Sequence, residues 1–233
     1  MRWLIVNADE FGMGPGINRG ILDAYRDGIV TSASLLVDGP WSLEAARMCR
    51  EARQLSVGLH ARLNGLASTP GHGRAARCRA ELTRQFTRFK ELMGHPPSHL
   101  DSHLDTHRDP AVTGVFLELA DWWGVPLRGH SPIHHLPKFH GRWGGGSEPE
   151  RISVSGLLRM LETDVNDGVT ELRCHPGHHD PHSTVDYLDE REIELETLCD
   201  ARVRRAVWSQ GIRLASYHDF ARAGTLREVA RQA

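Results

Sequence analysis

The sequence predicts an α/β fold, a single-domain irregular (β/α) barrel with about seven parallel strands spanning residues 1–233. Three observations carry that expectation. Short apolar runs alternate with longer segments of helical spacing, the mark of βαβ units and a mainly parallel sheet. A length of 233 residues, 39% hydrophobic and 25% charged, suits one domain with a sizeable core. No G-x-G-x-x-G follows a strand: Gly12-Met13-Gly14-Pro15-Gly16 has the wrong spacing and Pro15 lacks an amide donor, so an open doubly wound sheet is the weaker alternative.

The elements follow in order. Residues 3–6 read as a strand ending in Asn7-Ala8-Asp9-Glu10. A helix then starts at Pro15, a first-turn proline, carries Ile17, Ile21, Ala24 and Tyr25 at helical spacing, and stops at Gly28. Residues 30–37 read as a strand, 43–53 as a helix, and 55–59 as a strand closing at His60. A polar loop over 64–73 leads to a helix over 77–93, a strand end at 99–103, a helix over 112–123 and a short strand at 125–128. Residues 137–150 read as a loop. After it come a helix near 153–166, a strand at 170–174, a polar loop, a helix near 189–209 and a strand at 212–216.

A formal net charge of −2 gives no electrostatic footprint for nucleic acid or an anionic membrane, and no run approaches the roughly 18 apolar residues of a membrane helix. Cys49, Cys78, Cys174 and Cys199 form no C-x-x-C pair and read as reduced thiols. The N-terminus turns polar too early for a signal peptide. A cytoplasmic protein is the expectation.

In a (β/α) barrel, functional groups gather at the carboxyl ends of the strands. The unusual polar residues fall there: Asp9 and Glu10, His60, His99 with Asp101 and His103, Arg128, His175 and His218. In extended backbone His99, Asp101 and His103 share a face and can point into one cavity. Imidazoles and carboxylates without thiolates suit a divalent metal, with Asp9/Glu10 and His60 able to close the site. The adjacent Asp9 and Glu10 are expected to point different ways, one to a metal and one to a proton. Cys174-His175-Pro176-Gly177 ends a strand in a sharp turn that fixes His175, whereas His178, His179 and His182 read as surface histidines. There is no G-x-S-x-G elbow and no H-E-x-x-H helix.

The segments LIVNADEFGMGPGINRGI, GIVTSASLLVDGP, VGLH, PSHLDSHLDTH, GVPLR and ELRCHPG, in that order, resemble the YdjC/ChbG/HpnK family of carbohydrate deacetylases, with a fainter match to RLASYHDF. The resemblance implies an irregular (β/α) barrel that removes acetyl groups from N-acetylated amino sugars with one divalent metal ion, and a homodimer is among its implications. Asp9 falls where the family has its catalytic base, and Glu10, His60 and His103 fall on its metal ligands. Arg128 and His175 fall on polar active-site positions. Glu10 is a departure, since the family has Asp there. Asp105 likewise replaces a histidine of the more common HLDSHxHxH stretch.

The expected chemistry is metal-assisted amide hydrolysis. Zn²⁺ is foremost, with Mg²⁺, Co²⁺, Ni²⁺ and Mn²⁺ also compatible. Asp9 is the general base and His175 the group that protonates the amine or stabilises the oxyanion. Arg128 is expected to orient Asp9 or to bind the sugar. Asp101 is placed with the substrate-binding residues or behind a ligand histidine. Rival readings are a metal-dependent phosphoesterase or other amidohydrolase on the same barrel, and an inactive carbohydrate-binding homologue.

Overall fold

The structure, a computed structural model, describes residues 1–65, 73–143, 146–180 and 187–220. The strands are β1 (Arg2–Phe11), β2 (Ser32–Leu35), β3 (Ser56–Ala61), β4 (Leu100–Ser102), β5 (Ile133–Leu136), β6 (Arg142–Trp143), β7 (Gly146–Ser147), β8 (Gly168–Cys174) and β9 (Ile212–Leu214). The helices are α1 (Pro15–Arg26), α2 (Ser42–Met48), α3 (Gly73–Met93), α4 (Thr113–Trp123), α5 (Val154–Thr163), α6 (Leu188–Cys199), α7 (Ala201–Ser209) and α8 (Tyr217–Phe220). Two 3₁₀ turns, His103–Arg108 and Pro149–Ile152, follow β4 and β7.

Seven strands form one curled sheet in the order β4-β3-β2-β1-β8-β5, with β9 also on β1, and all of its pairings are parallel. The barrel is therefore irregular, as expected from the sequence. β1 is its centre. Arg2–Ala8 run along β8 on one edge, while the other edge takes β9 at Arg2–Leu4 and then β2 from Asn7. Leu4, Ile5, Val6 and Ala8 are all fully buried, as a central parallel strand covered on both faces requires. No described helix is long and apolar enough to cross a membrane.

The structure revises several boundaries. Residues 125–128 form no strand; Leu127 makes a single parallel bridge to Leu100, and the strand lies instead at β5, between two prolines. The helix expected over 189–209 breaks at Asp200, whose extended backbone ends α6 and whose side chain caps α7 by accepting from Arg202 N at 2.7 Å. The loop at 137–150 contains the β6–β7 hairpin, though residues 144–145 lie outside the described residues, as do most of the loop at 64–73 and His182.

Candidate active site

β1 ends in an irregularity that builds the site. Its register with β2 shifts between Ala8 and Phe11, and Glu10 has a left-handed backbone at φ 67°. A regular strand would send adjacent side chains to opposite faces; this irregularity lets both Asp9 and Glu10 line one cavity of about 470 Å³. The sequence expectation that the two acids diverge is thus corrected in direction, while their partners remain separate. Glu10 faces His103, with Oε1 3.2 Å from Nδ1, and its other oxygen accepts from the buried Arg191. Asp9 accepts Arg128 Nη1 and Nη2 at 2.8 and 2.7 Å and Asn7 Nδ2 at 2.8 Å.

Arg128 is the cation of the floor. It is 1% exposed and also bonds Glu171 through Nε at 2.8 Å, with Asp101 Oδ2 2.7 Å from Nη2. Burial alone would raise Asp9, Asp101 and Glu171; the guanidinium overrides it and holds all three below the ordinary carboxylate range. Asp101 in turn accepts from Ser34 Oγ at 2.6 Å and lies 2.7 Å from His60 Nδ1. That contact fixes His60 with Nδ1 toward the carboxylate and leaves Nε2 for another partner.

The opposite wall comes from β8, α6 and the segment before β6. The turn at His175 is pressed against α1: a Cβ at Gly20 would lie 2.5 Å from Gly177, so only glycine admits this approach. His178 N bonds Gly16 O at 3.1 Å and His178 Nε2 lies 2.7 Å from Asp23, which anchors the turn further. His175 N donates to Glu194 Oε2, Tyr187 Oη donates to Glu194 Oε1 at 2.8 Å, and His140 Nδ1 lies 2.7 Å from Tyr187 Oη. Among the described residues, no arginine hydrogen bond or ion pair to Glu194 is seen. Burial pushes its carboxyl up to about 7 and pushes His175 well below its usual value, against the pull of Asp9 and Glu10.

The structure brings Asp9, Glu10, His60, His103 and His175 to the cavity wall. Arg128 and Asp101 lie beneath it, with polar atoms committed to protein partners. The substrate contact expected of them has no surface to act through, because neither reaches the cavity. His99 is deeper still, corrected from the shared cavity expected of it: its ring stacks on Tyr217 with centroids 3.8 Å apart and fills the space a side chain at Gly58 would need. His107 is also buried, with Nδ1 2.7 Å from Ser102 Oγ. His218 stands apart, beside Arg53 and Leu55. Reading the sequence missed His140, Arg173, Tyr187, Arg191 and Glu194. Arg173 lies within the ELRCHPG segment, two residues before His175; Tyr187, Arg191 and Glu194 lack a local motif, but with Leu198 they recur at helical spacing on one buried face.

Among the described residues, Glu10, His60 and His103 offer ligand atoms within 4.8 Å of one another. One carboxylate and two imidazoles, one imidazole oriented by Asp101, are a donor set suited to a divalent metal. His140, His175 and Glu194 form a second such group, already closed on itself through Tyr187.

Known proteins share this architecture. A carbohydrate deacetylase of Geobacillus stearothermophilus is 32% identical over 250 residues, covering 94% of this chain and 98% of its own. A solved structure from Enterococcus faecalis V583, described provisionally as a cellobiose-phosphate cleavage protein, has a TM-score of 0.81 at 27% identity, over 94% of this chain and 98% of that one. A family 4 carbohydrate esterase from Streptomyces lividans, in complex with acetate, shares the fold at a TM-score of 0.60 and 12% identity, over 92% of each chain. The sequence profile of the YdjC-like proteins matches residues 3–208, and with that match and the 32% identical relative the chain belongs to the YdjC-like protein family.

Proposed function

We propose that this protein is a metal-dependent hydrolase that removes the acetyl group from an N-acetylated amino sugar in an oligosaccharide or glycoside. The observation that carries the reading is a buried Asp9, paired with Arg128 through both oxygens, in the same cavity as the Glu10–His60–His103 donor set. The similarity to a carbohydrate deacetylase supports it.

Glu10, His60 and His103 would hold the ion, which would supply Lewis acidity toward the acetyl group and the attacking water. Asp9 takes the proton from that water. Arg128 keeps Asp9 unprotonated at neutral pH and fixes both its oxygens, so its geometry is set before substrate arrives. His175 rests neutral, and negative charge developing beside it favours proton uptake. It then gives that proton, drawn from solvent, to the departing nitrogen, and the proton on Asp9 returns to solvent as acetate and the free amine leave. Asp101 and Arg128 act as positioning residues, Asp101 through His60 and Arg128 through Asp9.

The test is to strip the protein with a chelator, restore Zn²⁺, Co²⁺, Ni²⁺, Mn²⁺ or Mg²⁺ separately, and measure acetate release from N-acetylglucosamine, chitooligosaccharides and N-acetylated glycosides. Release restored by a divalent ion is expected. Release that survives metal removal, or a panel on which no ion gives release, would overturn the reading.

A further inference from the structure

Among the described residues, three that are not glycine have a left-handed backbone: Glu10 (φ 67°), Leu104 (φ 55°) and Asp105 (φ 51°). All three line the cavity of the candidate site. Residues with a side chain rarely adopt this conformation, and where they do the surroundings must enforce it. For Glu10 and Asp105 the reason is polar: Glu10 meets Arg191 and His103, and Asp105 Oδ2 accepts from Arg173 Nη1 at 2.9 Å.

Leu104 has no such reason. Its side chain is 86% exposed, more than any other exposed large hydrophobic side chain described, so burial does not offset the strain. The turn that displays it is nevertheless fastened on both sides. Thr106 Oγ1 donates to His103 O at 2.9 Å, His107 N donates to Ser102 Oγ at 2.8 Å, and Asp105 is tied across the cavity to β8. An apolar side chain is thus held in water at the mouth of a polar cavity whose other walls include Tyr187, Arg142 and Arg173. A pyranose ring matches that pairing, with C–H groups on its faces and hydroxyls at its rim.

We propose that Leu104 is a specificity-determining contact that packs on the C–H face of the sugar ring next to the acetylated one. This rests on the deacetylase reading. Asparagine accepts the left-handed conformation while removing the apolar surface, which makes Leu104→Asn the informative variant.

With chitotriose, Leu104→Asn is expected to raise KM about tenfold with kcat within twofold, as loss of part of a leucine's burial implies. Leu104→Met should stay near wild type. With N-acetylglucosamine, kcat/KM should be unaffected by Leu104→Asn. The Tm of Leu104→Asn should rise by about 2–4 °C as strain and exposed apolar surface are relieved. A purely structural leucine would give the reverse, a lower Tm and an unchanged KM. An unchanged KM for chitotriose overturns the contact while wild-type acetate release keeps the deacetylase reading. A change of oligomeric state with unchanged KM would assign Leu104 to a contact between copies and also overturn it. A wild type that releases no acetate removes the underlying reading first.

Discussion

The floor and the far wall of the cavity bury similar groups and treat them oppositely. On the floor, Asp9, Asp101 and Glu171 surround one arginine and are held ionised. On the wall, Glu194 receives a backbone amide and a tyrosine hydroxyl, and burial raises it to about 7. His60 on the floor is raised because Asp101 outweighs the cost of burial, whereas His175 on the wall is lowered because burial, with Arg173 and Arg191 nearby, outweighs the pull of Asp9 and Glu10. The partner decides the charge state, not the depth. One half of the site is thereby set to accept a proton and the other is left near neutrality.

Substitutions can break or sharpen that contrast. The largest effect is expected from Asp9→Asn, which should keep stoichiometric metal by elemental analysis yet lose about 10²- to 10⁴-fold in kcat. Arg128→Met comes next. It strands three buried carboxylates, and urea unfolding should show a loss of about 3–5 kcal/mol.

Glu194→Gln probes the wall. With its pKa raised from 4.5 to about 7 by folding, the unfolded chain releases this proton first. The group's contribution to stability is therefore present at pH 4 and lost as pH rises to about 7. The variant escapes that loss, so its stability relative to wild type should grow by about 3 kcal/mol between pH 4 and pH 8 in denaturant titrations. Asp101→Asn weakens the support of His60, and chelator competition should show metal affinity reduced about 10- to 100-fold. Glu118→Gln is the smallest. It removes a two-bond pair with Arg79 that resembles Arg128–Asp9 in geometry but lies in water, and Tm should match wild type.

The floor was legible in the sequence, but of the wall only His175 was. Asp9, Glu10, His60, His103 and His175 sit at strand ends, where apolar runs meet polar residues, and a parallel barrel gathers such ends on one face. Arg128 was found although the strand assigned to it is only a bridge, because the bridge at Leu127 still carries the chain past β4. β5 was missed because Ile133-His134-His135-Leu136 between prolines lacks the β-branched run of an interior strand and pairs only with β8. In α6, Leu-Asp-Glu-Arg-Glu-Ile-Glu-Leu-Glu reads as a solvated helix. Tertiary packing turns Arg191 and Glu194 inward, which local spacing shows only with Tyr187 and Leu198 as guides. The kink at Glu10 left no signal, since a left-handed glutamate is set by its surroundings.

Arg128 also bears on the order in which the chain folds. Its partner Asp9 is 119 residues away and Glu171 is 43 away, on strands that neighbour one another only once β8 has joined β1. Contacts of such separation carry a large loop-closure cost and form late. A chain arrested before β8 docks would hold every histidine of the donor set and yet lack Glu171 beside Arg128 and His175 across the cavity from Asp9. Assembly of the sheet and competence for chemistry are therefore acquired in the same step.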